Sequence, residues 1–185
     1  MPDPAEIQTP MPADRRRVFA VALVQGLSTL TVLLVAYFLL PLDEVAKLPF
    51  GVIVAGGVVI LSAVTVLEVR SIIRAAHPAA KAIQALAVIG PTFLLLFAST
   101  YYMMSQASPG SFNLTALTRG DSLYFTVTVF STVGFGDIVA TSESARAMVT
   151  TQMILDLVLL GAVVRVFVQA VKIAPKGPGT PTAGA

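Results

Sequence analysis

The chain contains no cysteine and a single histidine among its 185 residues. Without cysteine there are no disulfides, no thiol chemistry and no thiolate metal ligands. No group of histidine and carboxylate side chains has the spacing of a metal site or an acid–base pair, and no glycine-rich phosphate loop is present. We therefore expect no enzyme activity, no organic cofactor and no nucleic-acid partner.

The chain also has little polar sequence, because 56% of its residues are hydrophobic and its mean hydropathy is +0.84. A soluble domain of this size is less apolar, so the composition indicates a membrane protein. A helix needs about 20 apolar residues to cross the hydrocarbon core of a bilayer. Four segments fit this requirement: residues 18–40, 50–69, 82–104 and 147–171.

The cationic residues are distributed unevenly between the two sides of these segments. The loops on one side carry only Lys47, Arg119 and Arg146. The other side carries Arg15, Arg16, Arg17, Arg70, Arg74, Lys81, Lys172 and Lys176. Because Lys and Arg accumulate in cytoplasmic loops, we expect a multi-pass protein of the plasma (inner) membrane with both termini in the cytoplasm.

The two ends of the chain lack any apolar period that could build a core. Both are rich in proline, and the C-terminal end is also rich in glycine. We expect residues 1–17 and 172–185 to be disordered cytoplasmic segments, with no folded regulatory domain. The first apolar segment is too long for a signal peptide and lacks a small-residue cleavage site, so we expect it to be retained.

The hexapeptide TVGFGD, residues 132–137, follows a short Ser/Thr-rich and aromatic segment, residues 121–131. That segment is too short to cross a bilayer, so we predict a re-entrant helix surrounded by protein and a water-filled cavity. Gly134 and Gly136 adopt positive φ at little cost, and their alternation with larger residues turns successive carbonyl groups to one side. Such a row of carbonyls replaces the hydration shell of a potassium ion. A simple turn is the alternative, since Gly and Asp are common turn residues.

Residues 82–171 resemble the pore domain of the tetrameric potassium channels: an outer helix, a turret over residues 106–120, a pore helix, a selectivity filter and an inner helix. The whole chain is similar to small prokaryotic members in which two further helices, residues 18–69, precede the pore. The resemblance implies an all-α membrane protein with four transmembrane helices, a re-entrant pore helix and a filter. A chain with one filter cannot surround an ion, and filters of this class use four loops, so we expect a homotetramer in the lipid bilayer.

The resemblance also assigns roles around the hexapeptide. It implies potassium sites at Thr132, Val133, Gly134, Phe135 and Gly136, with the Thr132 hydroxyl completing the innermost site and K⁺ as the transported ion. Asp137 and Tyr124 then lie at the outer mouth. The resemblance places Tyr124 and Phe125 where many relatives have two tryptophans, and Thr128 where some have a glutamate. Of these two aromatic residues, only Tyr124 has a hydrogen-bond donor for Asp137. We therefore expect a single hydrogen bond from these two positions to Asp137.

The inner helix has an ionisable residue at the usual position of the family's hinge glycine, Asp156, with Gln152 one turn earlier and Gly161 later. An acid near the bilayer midplane is a candidate functional residue. One hypothesis is a ring of four carboxylates at the cavity wall that binds K⁺, Mg²⁺ or polyamines; the other is a structural acid bonded to a neighbouring helix. Gly161 is a further gating candidate.

Other classes of membrane protein fit less well. A voltage sensor needs several intramembrane arginines, and residues 50–69 contain none. A secondary transporter is expected to have paired broken helices in two related halves, and this sequence does not have that pattern. One alternative is a non-conducting scaffold or accessory subunit, although such a protein needs no intact filter. A weakly selective cation channel is a second alternative.

Overall fold

A computed structural model describes residues 13–75 and 78–172 of the chain, and within these ranges the regular structure is helical. The helices are α1 (Ala13–Leu39), α2 (Leu42–Val45), α3 (Phe50–Ile73), α4 (Pro78–Ala107), α5 (Arg119–Phe130) and α6 (Glu143–Lys172). The predicted disordered ends, residues 1–17 and 172–185, lie largely outside the described ranges. Two boundaries are corrected, because residues 13–17 belong to α1 and Lys172 is the last residue of α6.

Three helices in the described part of the chain are long and apolar enough to cross a membrane: Phe50–Ile73, Lys81–Ala107 and Glu143–Arg165. The apolar part of α1 that is described, Val24–Leu39, is shorter than a span. The described residues therefore support a helical membrane protein, while the fourth span stays a prediction.

Helix α4 is the element against which the other helices pack, because it contacts α1, α2, α3, α5 and α6. Its buried side chains fall on two faces at helical spacing. One face packs towards α5 and α6 through Phe93, Phe97, Tyr101 and Met104. The other face packs towards α1 and α2 through Leu95, Ala98, Tyr102 and Met103. The peripheral helices and the module of α5 and α6 thus share one central helix.

An aromatic cluster fixes α5 on α4. Tyr101 lies 5.2 Å from Phe125 and 5.9 Å from Phe112 between ring centroids, in edge-to-face geometry. Phe112 and Phe125 complete the triangle at 5.6 Å. Edge-to-face aromatic pairs contribute about 0.5–1.5 kcal/mol beyond the burial of their area. Phe125, at one of the two positions where many relatives have tryptophan, therefore packs in the core between α5 and α4.

A second contact joins the peripheral helices to α5. Arg119, the first residue of α5, donates from Nη1 to the carbonyl oxygens of Tyr37 at 3.0 Å and Phe38 at 2.7 Å. Its Nη2 lies 3.4 Å from Asp43 Oδ2, and its guanidinium lies 5.4 Å from the centre of the Tyr102 ring. The Tyr37 hydroxyl donates back to the Arg119 carbonyl oxygen at 2.7 Å, and the Tyr102 hydroxyl donates to Asp43. Carbonyl groups at a helix C-terminus lack intrahelical partners and attract cations. We call these five residues the Arg119 cluster.

Asp43→Asn should weaken the Arg119 cluster and lower the midpoint of thermal unfolding at neutral pH by roughly 1–3 °C. The hydrogen bond from Tyr102, with the charge of Arg119, holds the pKa of Asp43 below its ordinary value of 3.8. A lowered folded pKa stabilises the protein above the unfolded pKa, and this stabilisation disappears as pH falls through the lowered value.

The difference between wild type and Asp43→Asn should accordingly be constant from neutral pH to about pH 5 and shrink below about pH 4. Circular dichroism of the detergent-solubilised protein measures both midpoints. Glu44→Gln is the matched control, because Glu44 pairs only with Lys47 and both side chains are exposed. An equal shift in the control would contradict a specific role for Asp43.

Candidate functional site

Helix α5 begins at Arg119 because Thr118 caps it. The Thr118 hydroxyl oxygen accepts a hydrogen bond from the backbone N–H of Asp121 at 3.0 Å, and Asp121 Oδ2 accepts one from the backbone N–H of Thr118 at 2.9 Å. This reciprocal capping box satisfies two N–H groups that have no intrahelical partner. The hydrogen bonds from Thr118 hold the pKa of Asp121 below its ordinary value. The start predicted at Asp121 was wrong by two residues, since Asp121 is the third residue of the helix.

The other end of α5 is joined directly to the hexapeptide. The Thr128 carbonyl oxygen accepts hydrogen bonds from the backbone N–H groups of Val133 at 3.0 Å and Gly134 at 3.2 Å, and the N–H of Thr132 donates to Val129 at 2.9 Å. The Thr128 hydroxyl donates to the Phe125 carbonyl oxygen at 2.8 Å. Thr128 therefore supports the hexapeptide through its main chain, while its side chain bonds within the helix.

The carbonyl oxygens of residues 132–136 accept no hydrogen bond from any residue that the structure describes. Buried backbone carbonyl groups nearly always have a partner within the protein, whereas exposed ones are open to water or to an ion. Oxygen atoms of this kind bind hard cations and water. This run of free carbonyl oxygens is the main chemical feature of the site.

The backbone of the hexapeptide alternates in handedness. The φ angle is +59° at Thr132, +53° at Gly134 and +79° at Gly136, while Val133 and Phe135 keep negative φ. The positive φ predicted at both glycines is confirmed. Positive φ at Thr132 was not predicted, and for a β-branched residue it costs of order 1–3 kcal/mol. The local sequence carries no sign of this strain, which the bonds to the end of α5 maintain.

The hexapeptide lies on the surface of the single chain. Every residue from Ser131 to Asp137 is exposed, and the exposed fraction reaches 53% for Val133 and 68% for Phe135. A Cβ atom added at Gly134 or Gly136 would meet no atom within 4 Å. The chain's own packing thus constrains these glycines through φ and not through lack of space.

Two side chains hold the end of the hexapeptide. The Tyr124 hydroxyl donates to Asp137 Oδ2 at 2.8 Å, which confirms the predicted contact. Asn113 donates from Nδ2 to the Asp137 carbonyl oxygen at 2.8 Å and accepts from the N–H of Val139 at 2.8 Å. Asn113 also donates from its backbone N–H to Val139, beside the bridge that pairs Phe112 with Ala140. Sequence reasoning missed Asn113, because its partners lie more than twenty residues away and no local pattern indicates them.

Phe135 has a neighbour that was also not foreseen. Its ring lies parallel to the ring of Tyr124, at 4° between planes and 6.3 Å between centroids. Tyr124 therefore meets the hexapeptide twice, through its hydroxyl and through its ring face. The absence of a hydroxyl on Phe135 leaves this packing contact intact.

A buried polar group joins α6 to α4 and α5. Gln152 is fully buried; its Oε1 accepts from the Tyr101 hydroxyl at 2.7 Å, and its Nε2 donates to the Thr126 carbonyl oxygen at 3.2 Å. The same Nε2 lies 3.4 Å from Asp156 Oδ2. We call Tyr101, Thr126, Gln152 and Asp156 the Gln152 network. All four of its residues are buried, whereas the residues of the hexapeptide are exposed.

Asp156 is 8% exposed, and its second oxygen, Oδ1, is buried without a hydrogen-bond partner among the described residues. The exposed side of α6 carries apolar side chains instead, including Met153, Leu157 and Val158. This placement favours the structural hypothesis for Asp156 over the cavity wall. Gly161 lies within α6, and a Cβ atom there would meet no atom within 4 Å.

Residues 89–172 match the family model described as ion channel. The matched range takes in most of α4, all of α5, the hexapeptide and α6. No curated protein and no solved structure matches the chain. With three apolar helices of spanning length, the match supports a membrane protein that carries an ion channel domain in this part of the chain. A match to such a model suggests a protein that is not an enzyme.

Gln152→Leu should destabilise the protein, because it leaves the Tyr101 hydroxyl and Asp156 buried without a partner. Interhelical hydrogen bonds in membrane proteins contribute about 0.6–2 kcal/mol, so we expect a loss of roughly 2–6 °C in the midpoint of thermal unfolding. Gln25→Leu is the matched control: it removes an amide that is exposed and bonded only to Gln84.

A double-mutant cycle with Tyr101→Phe identifies the contact. The two changes should cost less together than the sum of their separate effects, by at least about 0.5 kcal/mol. If the effects of the two changes add strictly, or if Gln25→Leu lowers the unfolding midpoint equally, the network does not have the predicted energetic importance.

Proposed function

We propose that the chain is one subunit of a homotetrameric potassium-selective channel through which K⁺ passes passively down its gradient. The observation that carries this proposal is the run of unpartnered carbonyl oxygens at residues 132–136, on a backbone of alternating φ at the C-terminal end of a short helix. Carbonyl oxygens in such a run replace the water around a dehydrated cation.

The proposed ion sites are formed by the carbonyl oxygens of Thr132, Val133, Gly134, Phe135 and Gly136, with the Thr132 hydroxyl completing the innermost one. The C-terminus of α5 carries about half a negative charge from the helix dipole and favours a cation below the filter. The Thr128 carbonyl oxygen already accepts hydrogen bonds from N–H groups of the filter. The partial negative charge of the helix dipole therefore comes from the remaining carbonyl groups of the last turn.

Four copies are proposed because one run of carbonyl oxygens cannot encircle an ion. Closed cyclic symmetry brings four runs to one axis. It also accounts for the exposed apolar side chains beside the filter, which would otherwise face water. Exposed apolar side chains of this kind occur on α5, the filter and α6: Val127, Val133, Phe135, Met153, Leu157 and Val158.

The proposed topology has four spans, formed by α1, α3, α4 and α6, with α5 as a re-entrant pore helix. Both termini lie in the cytoplasm, on the side with more Lys and Arg. Asp137 and the Arg119 cluster then lie at the outer face. The protein is proposed to reside in the plasma membrane, with no voltage sensor in α3, whose residues 50–69 contain no arginine.

Within this function we assign Gln152 and Asp156 to the contact between the inner helix and the pore helix. This placement removes the main reason to expect block by internal Mg²⁺ or polyamines at Asp156. Gly161 stays the gating candidate, because the inner helix has no side chain there and no packed neighbour that opposes bending.

One observation favours a second candidate, a weakly selective cation channel. Phe125 lies in the aromatic cluster and offers the filter no donor, so Asp137 has a single side-chain tether from α5. A filter held by fewer bonds fits K⁺ less closely. The ratio of K⁺ to Na⁺ flux separates the two candidates.

Purified protein reconstituted in liposomes should give K⁺ flux that greatly exceeds Na⁺ flux and that Ba²⁺ blocks. Gly134→Ala should remove nearly all of it, since an L-residue at positive φ costs roughly 1–2 kcal/mol and the cost recurs in each subunit. Gly56→Ala is the matched control, because Gly56 lies in α3 with open space around it and normal φ.

Equal K⁺ and Na⁺ flux would replace the proposal by the weakly selective channel. Absence of flux in a well-folded preparation would favour a scaffold or accessory subunit. A monodisperse monomer in lipid would contradict the tetramer. Unchanged flux in Gly134→Ala would show that the hexapeptide does not line the ion path.

Tyr124→Phe should make K⁺ flux decay faster when external K⁺ is low, because it removes the 2.8 Å bond to Asp137 and keeps the ring contact with Phe135. One hydrogen bond of about 1 kcal/mol corresponds to a change of roughly fivefold in the decay rate. Phe135→Tyr should change the decay little, since the added hydroxyl finds no donor or acceptor at Phe125. Identical decay in wild type and Tyr124→Phe would contradict the tether.

A further inference from the structure

A groove of about 540 Å³ lies between the end of α3 and the start of α4. It is lined by Leu67, Arg70, Ser71, Arg74, Ala75 and Lys81. Its volume falls within the range of small-molecule sites. The lining combines three cations and one hydroxyl with two apolar side chains, so it suits a ligand with an anionic end and an apolar end.

The groove lies at the boundary of the hydrocarbon core. Arg70 is in the last turn of the candidate span Phe50–Ile73, and Lys81 is the first residue of the candidate span Lys81–Ala107. Leu67 is one turn further into the span and is 65% exposed. A ligand in the groove therefore has its charged end at the headgroup level and its apolar end against the acyl chains.

The cations of the groove have free donors. The Arg70 and Arg74 guanidinium groups make no ion pair and no side-chain hydrogen bond with residues in the described ranges. The Lys81 ammonium donates to Gln84 Oε1 at 3.0 Å, and an ammonium has further N–H groups available. Planar guanidinium groups bind phosphate oxygens with two parallel hydrogen bonds.

The helix ends do not cancel this positive charge. The C-terminus of α3 contributes about half a negative charge, and the N-terminus of α4 contributes about half a positive charge. These two contributions offset each other where the helices meet. The electrostatic character of the groove is then set by its three cationic side chains.

We propose that the groove binds the phosphodiester headgroup of an anionic glycerophospholipid, with an acyl chain along Leu67. Arg70 and Arg74 bind the phosphate oxygens, Lys81 adds a third cation, and the Ser71 hydroxyl donates to the headgroup. Basic pockets between transmembrane helices recognise anionic lipids in this way. The inference does not rest on potassium selectivity, and its test does not measure flux.

The absence of tryptophan from the chain allows a direct test. Leu67→Trp places a single fluorophore in the groove, and bromine atoms on lipid acyl chains quench it on contact. The protein is reconstituted in phosphatidylcholine vesicles with a minor fraction of brominated phosphatidylglycerol, or of brominated phosphatidylcholine as the neutral reference. We expect quenching by the anionic lipid at about tenfold lower mole fraction, because the cations of the groove attract its headgroup.

When Arg70→Gln and Arg74→Gln are combined with Leu67→Trp, the brominated anionic lipid and the brominated neutral lipid should quench the fluorescence equally. Adding Lys47→Gln instead is the matched control, because Lys47 is an exposed cation that pairs with Glu44 in the loop before α3. Inorganic phosphate in the buffer should leave the quenching unchanged, since the apolar end of the groove adds affinity only for a lipid.

Three results would overturn the proposal. Equal quenching by both lipids in Leu67→Trp would show no anionic preference. A preference that survives the two Arg→Gln changes, or that Lys47→Gln removes equally, would place the preference outside the groove. Loss of quenching on adding inorganic phosphate would assign the groove to a soluble anion.

Discussion

The carbonyl oxygens of residues 132–136 have no hydrogen-bond donor among the described residues, and the rest of the structure is arranged around that constraint. A backbone segment without its own hydrogen bonds is not stable by itself, because extended chain with free polar groups gains nothing from packing. It needs neighbours that hold its N–H side and leave its carbonyl side free. The end of α5 does this at Thr128 and Val129, while Tyr124 and Asn113 hold the far end.

Helix α5 transmits this requirement to the rest of the fold. It is only 12 residues long and it contributes few buried apolar side chains of its own. Its position depends on Phe125 in the aromatic cluster, on the bond from Gln152 to Thr126, and on the Arg119 cluster at its first residue. These contacts come from three different directions. A helix held in this way keeps the segment after it in one place even where that segment is strained, as at Thr132.

What the sequence predicted correctly was local chemistry. Positive φ at Gly134 and Gly136 follows from glycine itself, and Tyr124 was the one donor near Asp137. The cap at Thr118 was also readable, as a Thr followed three residues later by an acid, but Asp121 was taken as the start of the helix. The contacts of Asn113 and Arg119 could not be predicted, since each joins residues more than twenty positions apart. The same limit applied to Asp156, because a helical period gives the face of a residue but not which neighbour covers that face.

The two polar contacts on α5 differ in what they connect, and this difference bears on how the hexapeptide is held in place. The Arg119 cluster ties the first residue of α5 to the end of α1 and to Asp43 in α2, and the described part of α1 exposes apolar side chains such as Val32 and Leu39. The Gln152 network ties the middle of α5 to α6. Helix α5 is thus held at one end through α1 and α2 and at its middle through α6. The same helix carries Thr128, whose carbonyl oxygen accepts the hydrogen bonds from the N–H groups of Val133 and Gly134. The Arg119 cluster and the Gln152 network therefore both bear on the position of the hexapeptide through one short helix.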